Sequence, residues 1–289
     1  MTPAIVIARH VLGESVRRRV FTVVLVLSVA FLALFSLASF EAFHALASFG
    51  RGSGGSGIGS VDPRGLATVT LIALGMFATL FLGAVLAVFL TLGAVRGDAE
   101  RGLLQPLVVR PVGRSQLLLG RFAGASAVCS VYVLALYAVV IVVVHATGNR
   151  WPDRIVGPGL ALAAGVTILV ALSLLGSVLL SGTANGIAMF MVFGAGMVAG
   201  LLGTIGSAIG SGSVQSTAHD LSLALPFQAL YQAGLHALAA DQTGFTGVLL
   251  NLGPFGSSHA GGPGLYLWCA VYLVVVMGLA ALAFARRDL

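Results

Sequence analysis

The sequence contains no lysine; all fifteen of its basic residues are arginine. A G-x-x-x-x-G-K-[ST] phosphate loop needs its Lys to reach the nucleotide, so the absence excludes a standard P-loop ATPase in this chain. Charge of either sign is scarce, 8% of residues, and the nine acids all fall in loops or at the ends of apolar segments. Ion-coupled carriers usually keep ionisable groups inside the membrane, where such groups are costly and therefore functional. Cysteine is almost missing: Cys129 and Cys269 stand singly in apolar runs with no C-x-x-C spacing, which fits inert packing thiols. The six histidines form no ligand motif. Glu41 and His44 close the first apolar run, His145 closes the third, and His219, His236 and His259 are loosely spaced, so no metal is expected. Neither a Ser/His/Asp set nor a carboxylate pair stands out, and no catalytic residue is assigned.

What the sequence has in abundance is apolar length. Of 289 residues 58% are hydrophobic, and the mean hydropathy is +1.05. So little polar surface cannot coat a soluble globule. The expected fold is an all-α polytopic membrane protein. A hydrocarbon core about 30 Å thick takes roughly 20 helical residues, and six segments qualify: 20–40, 66–95, 122–144, 155–180, 184–206 and 265–285. The first is too long for the apolar core of a cleaved signal, despite the A-x-A pattern of Ala45 and Ala47, and reads as a retained span.

The arginines orient these spans. With the N-terminus inside, Arg9, Arg17, Arg18, Arg19, Arg96, Arg101, Arg110, Arg114, Arg121, Arg286 and Arg287 are cytoplasmic, eleven against the four at Arg51, Arg64, Arg150 and Arg154. That satisfies the positive-inside rule. An even span number also returns the C-terminus to the cytoplasm. Membrane orientation accounts for the net charge of +6, so no nucleic-acid partner is expected. Arginine without lysine, with abundant alanine and glycine, suits GC-rich codons and a bacterial cytoplasmic membrane.

Two further segments flank the spans. Over 4–19, Ile5, Ala8, Leu12 and Val16 recur at helical spacing, as in an amphipathic helix lying in the inner interface or a plain basic flank. Residues 207–264 include an apolar stretch interrupted by Pro226, Gln228, Gln232 and His236. A seventh span would break the charge rule, so this is expected as an extracytoplasmic helical segment, re-entrant or surface-lying, packed against protein. In the fifth span Gly196 and Gly200 stand at GxxxG spacing, suited to close packing within the bundle or across a dimer. Ser28, Ser36, Thr79, Ser126, Ser130, Thr167 and Asn185 give the spans a weakly polar lining, better matched to an amphipathic drug or lipid than to a highly charged substrate.

The most charged stretch is the cytoplasmic "RGDAERGLLQPLVVRPVGRSQLLLGR", residues 96–121, with five arginines, two acids, two prolines and four glycines. Leu103, Leu104, Leu107 and Val108 suit a short amphipathic helix, and Pro111 disfavours helix at Arg110. A half-apolar charged knob can dock a soluble protein; equally, its arginines can meet lipid phosphate.

The order Asp98, Glu100, Gly102, Leu104, Pro111, Val112, Arg114, Leu118, Leu119, Gly120, followed by the terminal "FARRDL", resembles the six-span permease subunits of the type-2 ABC exporter family. The chain departs from that pattern at Leu103, Gly113 and Arg121, where the family has Thr, Ser and Lys. The resemblance implies a membrane-spanning half of an ATP-driven transporter, paired with a second copy of itself and with two copies of a separate ABC ATPase that holds the ATP and Mg; no cofactor is expected on this chain. It further implies that residues 96–116 form a coupling loop with a short cytoplasmic coupling helix, contacting the ATPase through Asp98, Glu100, Arg101, Gly102, Leu104, Leu107, Pro111 and Arg114. An ion-coupled secondary transporter and a non-transporting scaffold or sensor are the competing classes.

Overall fold

The computed structural model describes residues 19–52, 63–92, 114–149, 151, 154–239 and 261–286. The stretch 4–18 of the expected amphipathic helix, and the expected coupling loop up to residue 113, lie outside the described residues. Every regular element among the described residues is a helix: α1 (Arg19–Gly52), α2 (Pro63–Thr91), α3 (Arg114–Gly148), α4 (Val156–Leu179), α5 (Gly182–Ile209), α6 (Gly212–Ala224), α7 (Pro226–Ala239) and α8 (Pro263–Ala285). Six of them, α1 to α5 and α8, are long and apolar enough to cross a membrane. The chain is an all-helical, six-span membrane protein.

The helices outrun the apolar segments. Helix α3 has 35 residues, roughly 50 Å at 1.5 Å per residue, and α1 continues to Gly52 through "EAFHALAS". Apolarity sets how much of a helix lipid will take, whereas the helix itself ends where local chemistry stops it. Alanine, glutamate and phenylalanine sustain α1 until the glycine and serine run begins. Prolines open helices where the missing N–H costs nothing: Pro63 in α2, Pro226 in α7, Pro263 in α8. Helix α5 ends on Gly210 in the left-handed region (φ 66°), with the Ser211 N–H returning to the Gly206 carbonyl at 3.1 Å.

Helices α2 and α4 form the centre. Helix α3 packs on both, α1 leans on α2 and α3, and α8 lies against α4, α7 and α3. The main core includes Met76, Leu80 and Leu86 of α2, Val133 and Val140 of α3, and Leu162, Val166 and Leu169 of α4. A smaller cluster ties Leu174 and Val178 of α4 to Met277, Ala280 and Phe284 of α8, with Leu118 at the start of α3.

One end of the bundle carries Trp151, the start of α4 and the start of α8; it is called here the Trp151 end, and the opposite one the Arg114 end. Helices α6 and α7 form a hairpin that enters from the Trp151 end. Its depth is fixed by neighbours. The Phe227 backbone lies beside Gly165 of α4, and a side chain at Gly196 of α5 would run into the Phe227 ring. Both glycines are near the middle of their helices. From there α7 climbs back, with Tyr231 donating to the Ala73 carbonyl at 3.4 Å and Gly234 meeting Met76 and Pro158. Of the two readings left open for residues 207–264, the described part, α6 and α7, packs as a re-entrant segment would. The turn is made at Leu225, which precedes a proline and is driven out of the helical region (φ −124°, ψ 68°). Its N–H still reaches the Leu221 carbonyl at 2.9 Å, and its own carbonyl accepts from Gln228 N–H at 3.0 Å. Interrupted backbone at that depth requires such protein partners.

Candidate functional site

Of the residues expected to contact a partner, Asp98, Glu100, Arg101, Gly102, Leu104, Leu107 and Pro111 lie outside the described residues. Arg114 opens α3. The structure therefore presents the roots of that loop: the end of α2 at Thr91 and the start of α3 at the same end of the bundle.

At the root on α2 there is a buried polar cluster. Thr91, the last residue of α2, is 1% exposed; Ser173 of α4 and Asn185 of α5 are fully buried. The Thr91 hydroxyl donates back to the Ala87 carbonyl at 2.9 Å, shared with Val88 at 3.1 Å. The same hydroxyl meets that of Ser173 at 2.5 Å. Asn185 Nδ2 donates to the Ser173 carbonyl at 3.0 Å. Asn185 Oδ1 is buried without a partner and faces the backbone of Gly176, where any Cβ would collide with it. Three helices thus meet on two hydroxyls, one amide and a glycine. Beside them Leu92 extends over Gly182 and Gly186 of α5, at 3.5 and 3.4 Å from where their Cβ atoms would be.

The other polar residues expected along the spans do not converge. Ser28 donates to the Val24 carbonyl at 2.7 Å and bonds the Tyr132 hydroxyl, joining α1 to α3. Ser130 and Thr167 meet at 3.3 Å between α3 and α4. Thr79 turns back on Gly75 at 2.7 Å, Ser36 on Ala33 at 2.9 Å, and Ser126 Oγ is buried without a partner. Within one chain these residues are thus scattered, some pinning two helices and some turning back on their own. A hydroxyl in lipid finds a carbonyl or another hydroxyl before it finds an open lumen.

Nor do Gly196 and Gly200 stay free for a second copy. Phe227 fills the space at Gly196, and the amides of Gln228 and Gln232, each 3% exposed, fill it at Gly200. The GxxxG pattern serves packing within the bundle.

At the Trp151 end, Phe40, Phe43, His44, Ala47, Arg64, Thr147, Gly148 and Asn149 line an open cleft of about 320 Å³. The His145 ring stacks on Trp151 at 4.1 Å beside it. Among the described residues no three of His, Cys, Asp and Glu come together as a metal site would need.

Sequence reasoning named Asn185 only as one of several polar residues and missed Thr91, Ser173 and Gly176. A signal was present: Asn185 is the single Asn or Gln within the six apolar segments. Its partners could not be read, because Thr91 and Ser173 are ordinary hydroxyls in apolar runs.

A family model described as ABC-2 family transporter protein matches residues 5–289. No curated protein matches the chain.

Proposed function

The chain belongs to the ABC-2 transporter family, and from that premise we propose that it is the permease of an exporter that works as a homodimer. It is a multi-pass membrane subunit of an ABC transporter, with the ATPase on another chain. In the proposed assembly each permease takes one ABC ATPase on its Arg114 end, which faces the cytoplasm of a bacterial cell, and ATP binding there switches the pair between inward- and outward-facing states. The eleven-to-four distribution of arginine supports that orientation.

The observation that carries this reading is the family match over nearly the whole chain, together with six spans. The lysine-free sequence agrees with it: energy has to come from a partner. The contact is assigned to the loop 96–116, whose Asp98, Glu100, Arg101 and Arg114 would form the charged rim around Leu104 and Leu107, with Gly102 and Pro111 shaping the turn.

Interface energy concentrates in a few buried anchors, each worth about 2 kcal/mol or more, while a rim charge is worth less. Leu104→Asp is therefore expected to abolish co-purification of the ATPase, and Arg101→Ala to weaken it slightly. Insertion of the spans should not change in either variant. An ATPase that assembles with Leu104→Asp as it does with the parent removes the loop from the interface.

A further inference from the structure

We propose that the Thr91, Ser173 and Asn185 cluster is the joint through which the loop after α2 sets the position of α5. The proposal rests on the coupling role assigned above to that loop, and it names the residues inside the bundle that receive the movement.

The first support is position. Thr91 is where α2 ends, so a displacement of the loop at its α2 root enters the bundle there. It is also one bond from Ser173, which is one bond from Asn185 in the first turns of α5. Leu92, resting over Gly182 and Gly186, makes a second apolar contact between the same two helix ends.

The second support is where α5 is held. One third of its span is buried, against two thirds in α2 and α4. Its neighbours at mid-depth and toward the Trp151 end are the re-entrant hairpin α6 and α7. At the Arg114 end, by contrast, the cluster at Asn185 and the Leu92 contact tie α5 to α2 and α4, so a displacement of the α2 end is passed to α5 there. The pins at Ser28 and Tyr132, or Ser130 and Thr167, differ in this respect: they join helices in mid-span, away from any loop root.

The third support is the incomplete bonding of the amide. Asn185 Oδ1 is sealed against Gly176 with no donor. An unmet buried acceptor disfavours the arrangement present relative to one in which a donor reaches it. In the proposal, a shift of the end of α2 brings a donor within reach of that oxygen and so favours a second setting.

The test uses the permease assembled with its ATPase in lipid nanodiscs. Spin labels are placed at Leu37→Cys on α1 and Met191→Cys on α5, both exposed on the single chain, with Cys129 and Cys269 replaced and labelled chains diluted by unlabelled ones. The distance between labels is measured without nucleotide and after trapping with ATP and vanadate. The parent should show a distance change on trapping. Thr91→Val, which keeps the shape and loses the hydroxyl, and Ser173→Ala should co-purify with the ATPase and hydrolyse ATP, yet lose that change; Thr91→Ser should keep it. A structural role alone would not separate ATP turnover from movement of α5. The proposal is overturned if both Thr91→Val and Ser173→Ala move as the parent does, or if the assembled parent shows no change. Failure of the parent to bind an ATPase at all would instead overturn the coupling reading, and it is visible at co-purification, before any distance is measured.

Discussion

Helices α1 and α2 are nearly equally apolar, yet 17% of the α1 span is buried inside the protein and 67% of the α2 span. The difference lies in what each presents to a neighbour. Helix α2 offers Gly75, where Val140 fills the place of a side chain, and Gly83, where Val133 and Val166 come within 2.6 and 2.8 Å of it. Helix α1 has no glycine before its final turn; it touches the bundle along Val24, Ser28, Phe35 and Ser39 and shows Val26, Leu34 and Leu37 to lipid. Lipid tails are as apolar as leucine, so apolarity places a helix in the membrane and gives it no preference for protein over lipid. Close approach and hydrogen bonds supply that preference. Helix α4 is central for the same reason, since its Gly165 admits the backbone of α7 and its Gly176 admits Asn185.

The comparison breaks most sharply at the re-entrant hairpin. Phe227 is fully buried and its ring lies parallel to Phe193 at 5.9 Å; Phe227→Ala should cost about 3 kcal/mol, mostly as a cavity that lipid cannot fill. Removing a side chain exposed on α1, as in Leu37→Ala, should cost within about 0.5 kcal/mol. Unfolding in mixed micelles of detergent and denaturant measures both. Equal losses would mean that the hairpin sits on the bundle and is not wedged into it.

A smaller effect sharpens the role of glycine. Gly176→Ala sets a methyl group against Asn185 Oδ1, and Gly278→Ala adds one to open space. The first is expected to lower stability by roughly 1–3 kcal/mol, and the second to leave it unchanged or raise it slightly through better helix propensity. Thermal midpoints of the two variants in one detergent decide the matter.

The smallest expected effect concerns how α1 is held at all. Its bond from Ser28 to Tyr132 should contribute about 0.6 kcal/mol, the usual scale of an interhelical hydrogen bond in a membrane. A double-mutant cycle of Ser28→Ala and Tyr132→Phe isolates it. A coupling near zero would leave α1 attached by its apolar stripe alone.

Much of this architecture was legible in advance. Uninterrupted apolar runs announced six spans, because a membrane needs a fixed helical length and charge interrupts it. Pro226 and the amides at Gln228 and Gln232 marked residues 207–264 as something other than a span. The decision between a surface-lying and a re-entrant segment depended on Phe227 reaching Gly196 and Gly165, a contact between three distant stretches of chain. Gly196 and Gly200 were read equally well as an intramolecular or a dimer contact until α7 was seen to occupy them. The hydroxyls pooled as one polar lining proved to be spread over several helices, Ser28 and Ser130 bonding across a seam and Thr79 and Ser36 turning back on their own helix.

The sequence by itself determined that this protein crosses a membrane six times, that its arginines favour one orientation, and that it carries no P-loop lysine, because these follow from the transfer of side chains between water and lipid and from the chemistry of single residues. Tertiary structure alone decided which helices are central, that α6 and α7 enter to mid-depth, and that Thr91, Ser173 and Asn185 meet at the root of the charged loop. Those are choices among neighbours, and to a helix already in lipid every apolar face is much alike until a missing side chain or a buried hydrogen bond makes one of them closer.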